Sequence, residues 1–330
     1  MKIGLFSVTD HYPDELERSP QRLYDELLEQ IVRADELGFD SFWLAEHHFH
    51  EYGIVPRPAV MLAAAAARTR RIKLGAGVVV LPFDNPLRVA EDYAMVDVIS
   101  GGRLVLGVGS GYLQHEYEGF GVDPAQKRAR FDESLEILMK AWSGERFDHV
   151  GDFYQLRGVR LNVTPLQRPM PPTAVAILRN EAARFVGARC MPIMMIPYAT
   201  TEEVDELRDT VDAWRAAYSA AGGTADQAML PFGLHVLCAA RRREALSLAR
   251  PAMDRYVRTR LFARQRPFDK LVEKDLVAFG TPEDIVRIAR RYRAAGLTHM
   301  LAILNFGGLE HEQVLHSMDL LAREVLPHLS

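Results

Sequence analysis

The sequence predicts an α/β fold, specifically a closed (β/α)8 TIM barrel. Three observations carry that expectation. Short apolar runs alternate with longer helical patterns in roughly eight rounds along 330 residues. Such alternation builds a parallel sheet with helical crossovers. The apolar runs, Ile72–Leu81 most clearly, lack two-residue alternation, as strands buried on both faces do. No stretch rich in Pro, Gly or Ser divides the chain, so residues 1–330 read as a single domain. A barrel of about 250 residues, extended by insertions, fits that length. An open doubly wound sheet is the alternative.

Each element has a local cause. Ile3–Val8 is the first apolar strand. Pro20–Leu37 places Leu23, Leu27, Ile31 and Ala34 at helical spacing, and Gly38 stops it. Ser41–Ala45 is a second strand, Pro58–Thr69 an alanine-rich helix and Ile72–Leu81 a third strand. Helix Leu87–Ile99, strand Leu104–Val108 and the long helix Pro124–Trp142 follow. Residues 144–171 break the rhythm with aromatics, Gly and Pro, and read as a hairpin-rich insertion after strand four. Strands Thr173–Leu178, Met191–Ile196, Phe232–Cys238 and Thr298–Leu304 come next. Helices Asn180–Ala188, Thr201–Ala221, Arg242–Arg260, Pro282–Ala294 and Glu310–Val325 lie among them. Thr281 caps one of these, with Pro282 at its first position and acids after it. A second irregular insertion, about 261–280, follows strand seven. Its Arg264, Arg266, Lys270 and Lys274 suit a lid over the barrel mouth.

Composition narrows the function. The chain is 48% hydrophobic and 25% charged, with a formal charge of −4. That balance speaks against a nucleic-acid partner. No run reaches the ~18 apolar residues of a membrane span. The opening MKIGLFSVTD lacks the pattern of a signal peptide, which points to the cytoplasm. Cys190 and Cys238 stand in apolar runs and are expected as buried free thiols.

The stretch FWLAEHHFHE, residues 42–51, holds the densest group of titratable side chains. It lies just past the second strand. Barrel enzymes place their sites at such C-terminal strand ends. Glu46, His47, His48, His50 and Glu51 therefore face the catalytic mouth. One reading is a metal site built on the HxH of His48 and His50. The later strand ends AILRN and MMIPYA supply no histidine, and Asn305 stands where an acid is wanted, so no metal is expected. The other reading is a neutral imidazole serving an organic cofactor.

The stretches GFDSFWLAEHHFHEYG, RIKLGAGVVVLPFDNPLRVAEDYAMVDVISGGRLVLGVGSGY and GTPEDIVRIARRYRAAGLTHMLAILNFGG resemble the bacterial-luciferase-like flavin monooxygenases, in the same order. The resemblance implies a barrel, usually dimeric, that uses reduced FMN and O2. FMN members oxygenate a small organic substrate through a flavin C4a-peroxide. F420-dependent hydride transfer is the family's other chemistry, and a catalytically silent scaffold subunit is a further alternative. His47 matches the catalytic base, with Glu46 and His48 beside it. Gly77-Val78 matches a cis bond under the flavin ring. Gly109, Ser110, Gly111 and Tyr112 match the loop by the cofactor phosphate. Taken alone, that GxGxG is a weak nicotinamide signal, because it follows the fourth strand rather than the first. Phe6, His11 and His48 are candidate substrate-pocket residues. The family's Ser/Thr-rich phosphate turn is replaced by ILRNEA, residues 177–182, which leaves Arg179 and Asn180 to hold the phosphate. A separate flavin reductase is an expected partner, and a homodimer the expected assembly.

Overall fold

The computed structural model describes residues 1–260 and 265–329. Its strands are β1 (Lys2–Ser7), β2 (Ser41–Leu44), β3 (Lys73–Val80), β4 (Leu104–Gly109), β5 (Phe147–Val150), β6 (Gln155–Val159), β7 (Thr173–Ala176), β8 (Ile193–Met194), β9 (Pro231–Cys238), β10 (Ala278–Gly280) and β11 (His299–Ile303). The α-helices are α1 (Pro20–Leu37), α2 (Pro58–Ala66), α3 (Pro86–Ser100), α4 (Gln114–Phe120), α5 (Lys127–Trp142), α6 (Ala182–Gly187), α7 (Pro197–Thr200), α8 (Glu206–Ala220), α9 (Arg242–Arg258), α10 (Phe268–Glu273), α11 (Pro282–Ala294) and α12 (His311–Glu324).

Nine strands form one sheet in the order β10-β9-β11-β1-β2-β3-β4-β7-β8. Its pairings are parallel. A parallel bridge between Met195 and Phe232 joins the chain just past β8 back to β9, so the sheet curls on itself. The strands are nearly continuous apolar runs with helices packed outside, as parallel sheets require.

The connections have identifiable causes. Ser19 accepts the Arg22 N–H to start α1, and Gly38, in the left-handed region at φ 83°, ends it. The Asp35 carboxylate accepts the N–H groups of Arg70, Arg71 and Ile72, which fixes the entry into β3. Thr281 and Asp284 form a reciprocal capping box on α11, as the sequence indicated.

Four sequence expectations change. Helix Asn180–Ala188 shortens to α6. Helix Thr201–Ala221 starts only at Glu206, as α8, because the Glu206 carboxylate holds the Thr201 hydroxyl and the Glu202 N–H in a turn; the one-turn α7 precedes it. Within 261–280, Leu261–Arg264 lie outside the described residues. From Gln265 the segment is regular rather than a loose lid. It carries α10, and β10 pairs Ala278, Phe279 and Gly280 with Val236, Leu237 and Cys238. Arg266 donates to the Thr201 carbonyl and to Glu202, both at 2.9 Å. Cys238 is buried, but Cys190 is exposed, because it sits at φ 56° in the turn after α6. The expected hairpin appears as the antiparallel pair β5–β6.

Glycine spacing shapes the floor of the curled sheet. A Cβ on Gly75 would stand 2.3 Å from Cδ2 of the buried Trp43 ring. That ring is also fixed by its Nε1 bond to Ser41, at 2.9 Å. Gly75→Ala is expected to destabilise the fold by about 1–3 kcal/mol through overpacking. Urea denaturation checks this, and an unchanged midpoint would contradict the packing.

Candidate active site

A cavity of about 490 Å³ opens at the C-terminal ends of β1 to β4, β7 and β8. Its apolar floor includes Phe6, Gly77, Val78, Gly109, Ala176 and Met194. The Gly77–Val78 peptide bond is cis. A Cβ on Gly77 would lie 3.2 Å from both Met194 Cε and Phe6 Cε2. A Cβ on Gly109 would lie 2.8 Å from Val78 Cγ2. Glycine at both positions keeps this floor flat.

His47 lines the cavity and is buried. Its Nδ1 lies 3.1 Å from Glu116 Oε1. The same oxygen accepts the His48 N–H at 3.0 Å. Tyr52 packs edge-on to the imidazole, with centroids 4.5 Å apart. Burial lowers the His47 pKa below its usual 6.5, and Glu116 opposes that shift. Nδ1–H thus donates to the carboxylate, and Nε2 is left as a proton acceptor. This is the arrangement of an oriented general base.

Glu46 also lines the cavity, and burial raises its pKa. His48 Nε2 stands 3.3 Å from its carboxylate, which partly offsets the burial. Ser110, Gly111, Tyr112 and Arg179 complete the wall expected from the sequence. Gly111 takes φ 77°, a conformation that side chains resist.

The structure does not bring His11, His48 or Asn180 to the cavity wall. His11 turns its Nε2 to the Arg18 carbonyl at 2.7 Å. The His48 ring is taken up by Glu46 and by an edge contact with Phe120, at 4.7 Å. Asn180 lies in the turn before α6, where its carbonyl accepts the Ala183 N–H.

Other residues replace them. Lys127 and Arg128, at the start of α5, line the cavity together with Arg179. Arg128 is tied to Asp132 at 3.0 Å. Among the described residues no ion pair joins Lys127 or Arg179 to a carboxylate. Tyr52, Tyr198 and Tyr256 form a hydroxyl-bearing wall with Tyr112. Sequence reading missed Glu116, because α4 is short and polar and the pair spans 69 positions.

The family model described as luciferase-like monooxygenase matches residues 1–299. The chain belongs to the luciferase-like monooxygenase family. Limonene 1,2-monooxygenase of Rhodococcus erythropolis, a relative, is 30% identical over 319 residues, covering 92% of this chain and 81% of its own. Monooxygenase RslO1 from Streptomyces bottropensis has a similar structure, with a TM-score of 0.94 at 31% identity over 100% of both chains. The oxygenating constituent of 3,6-diketocamphane monooxygenase from Pseudomonas putida, solved in complex with FMN, gives a TM-score of 0.84. At 23% identity over 100% of this chain and 99% of that one, it shows a shared fold. The curled parallel sheet is thus of the luciferase-like barrel type. In this luciferase-like chain the cavity combines an apolar floor, a histidine held by a buried carboxylate and three cationic side chains in its lining.

Proposed function

We propose that the cavity holds reduced FMN, as cofactor or co-substrate, and that the chain uses it with O2 to oxygenate a small organic substrate. The carrying observation is the joint presence of the glycine floor, the His47–Glu116 pair and three cavity cations. Gly77 and Gly109 leave room where a flat ring must approach. Lys127, Arg128 and Arg179 supply the charge that a phosphate needs. When bound, reduced FMN supplies the activation of O2. The chain's own residues do the rest. Phe6, Val78 and Met194 keep the floor apolar, which excludes water. His47 Nε2 takes or returns a proton at the substrate, and Glu116 holds the ring in register.

In this reading β1, β2, β3, β4, β7, β8, β9 and β11 are the eight staves of a (β/α)8 barrel. Residues 144–171 are inserted after the fourth stave and 261–280 after the seventh. A separate flavin reductase supplies the electrons, since the chain carries no matched nicotinamide fingerprint. Two free cysteines, one of them exposed, suit the reducing cytoplasm. Among the described residues no helix is long and apolar enough to cross a membrane.

The assembly we infer is a two-fold homodimer. Val60 on α2 is 71% exposed, and Met95 and Ile99 on α3 are 52% and 49% exposed. Apolar side chains so placed on neighbouring helices suit a self-complementary contact. Sedimentation is expected to give a dimer, and Ile99→Glu a shift to monomer. A monomeric wild-type chain would contradict this.

The functional reading is tested by oxygen uptake with FMN, NADH and an added flavin reductase. Protein-dependent, saturable oxygen use that responds to a hydrophobic organic substrate supports it. Oxygen use identical to that of the reductase alone would overturn it.

A further inference from the structure

The Arg260 side chain is fully buried, at 0% exposure. Its guanidinium carbon lies 3.6 Å from the centroid of the Tyr52 ring and 3.7 Å from that of Tyr256. Both tyrosines line the cavity. Nη1 donates to the Tyr52 carbonyl at 3.1 Å. Among the described residues Nε and Nη2 find no hydrogen-bond partner. The nearest carboxylate, Asp10, is 3.6 Å from Nη2. Asp10 already accepts the Tyr12 hydroxyl at 2.6 Å and the Gly307 N–H at 2.7 Å. A buried cation so loosely matched stabilises the fold poorly, and packing alone does not call for one. Its contacts place it directly behind the tyrosine wall.

That wall is polar at its tips. The Tyr52 and Tyr112 hydroxyls are 2.8 Å apart, and the Tyr198 and Tyr256 rings meet edge-on at 6.1 Å. A cation on the face of a phenol ring draws electron density from it and makes its O–H a stronger donor. Among the described residues the titratable groups that feel the Arg260 charge are Asp10, Tyr12, Tyr52, Tyr112, Tyr198 and Tyr256, together with His47, His50 and His235. Burial lowers the His235 pKa to about 3, so that ring is neutral. Among the described residues Asp10 is the one carboxylate within 4 Å of the guanidinium.

Resting on the FMN-monooxygenase reading, we propose that this wall receives the oxygen of an aromatic hydroxy compound as its phenolate, and that Arg260 sets that specificity. The phenol O–H bond breaks and an N–H bond forms at His47 Nε2, so the proton stays in the cavity. The imidazolium keeps Glu116 as its partner. The phenolate ring is enriched in electrons at its ortho and para carbons, the positions suited to accept an oxygen atom.

7-Hydroxycoumarin probes this in the full-length protein, because its neutral and anionic forms have distinct excitation spectra. The bound dye is expected to ionise about one unit below the free dye, a roughly tenfold preference for the anion. Its methyl ether, 7-methoxycoumarin, is expected to bind at least tenfold more weakly. Arg260→Met removes the shift but leaves the affinity for reduced FMN unchanged. Asp10→Asn removes the counter-charge and deepens the shift, a change of opposite sign that a merely structural Arg260 does not produce. That second variant also serves if Arg260→Met does not fold. Absent dye binding, ionisation at or above the pH of the free dye, equal binding of the ether, or a shift lost in Asp10→Asn would overturn the proposal. Reduced FMN titrated into the same preparations separates the two readings. Loss of flavin binding sinks the FMN assignment, whereas an unshifted dye beside intact flavin binding sinks only the phenolate claim.

Discussion

His47→Ala is expected to lower turnover by roughly 10²- to 10⁴-fold, the usual contribution of a positioned acid–base group. Binding of reduced FMN should survive, because we assign the phosphate to Lys127, Arg128 and Arg179 rather than to His47. The pH dependence has a definite sign. Burial lowers the His47 pKa below 6.5 and outweighs the opposing effect of Glu116. The imidazole is therefore neutral at pH 7. A base is lost when it is protonated, so kcat/KM should fall as the pH drops through a pKa below 6.5. Glu116→Gln removes the influence that raises this pKa while keeping an oxygen for the His48 N–H. The acid limb should then move to still lower pH, and the limiting rate should drop as the ring loses its fixed orientation. A pH–rate profile on both variants checks this. A limb that moves upward in Glu116→Gln would contradict the pairing.

Replacing Lys127, Arg128 and Arg179 together by Ala should weaken FMN binding by roughly 10²-fold or more. A hydrogen bond to a charged group contributes about 1.5–3 kcal/mol, but Lys127 and Arg179 are exposed and solvent screens part of this. Arg128 should count least, because Asp132 already engages it. Riboflavin lacks the phosphate, so its affinity should not change. The contrast between the two flavins isolates the phosphate contribution from general damage to the cavity. It should also shrink as salt is added. Equal loss of FMN and riboflavin binding would move the phosphate elsewhere.

Much of the fold could be read along the chain because its causes are local. Gly38 ends α1, Thr281 and Pro282 start α11, and unbroken apolar runs mark β3 and β9. The position of His47 past the end of β2 followed from the same logic, whereas the place of Gly77 on the cavity floor was implied by the family resemblance. The parts that could not be read are those that only folding brings together. Glu116 reaches His47 from a short helix whose sequence, QHEYEGF, carries no apolar stripe. Lys127 and Arg128 look like any charged helix start until folding brings them to the same cavity as Arg179. Asn180 looked like a phosphate ligand because the sequence showed it beside Arg179, but it is not among the residues that line the cavity. Arg260 closes the run Arg242–Arg260 with nothing in the sequence to mark it as buried, yet it is enclosed by two tyrosines more than 200 positions apart.

The most direct test of the central claim is an anaerobic titration of the purified protein with reduced FMN, run beside reduced riboflavin and reduced F420. Saturable binding that favours FMN over riboflavin and over F420 is the predicted result. Binding of F420 without FMN would contradict the oxygenase reading and assign the cavity to hydride transfer.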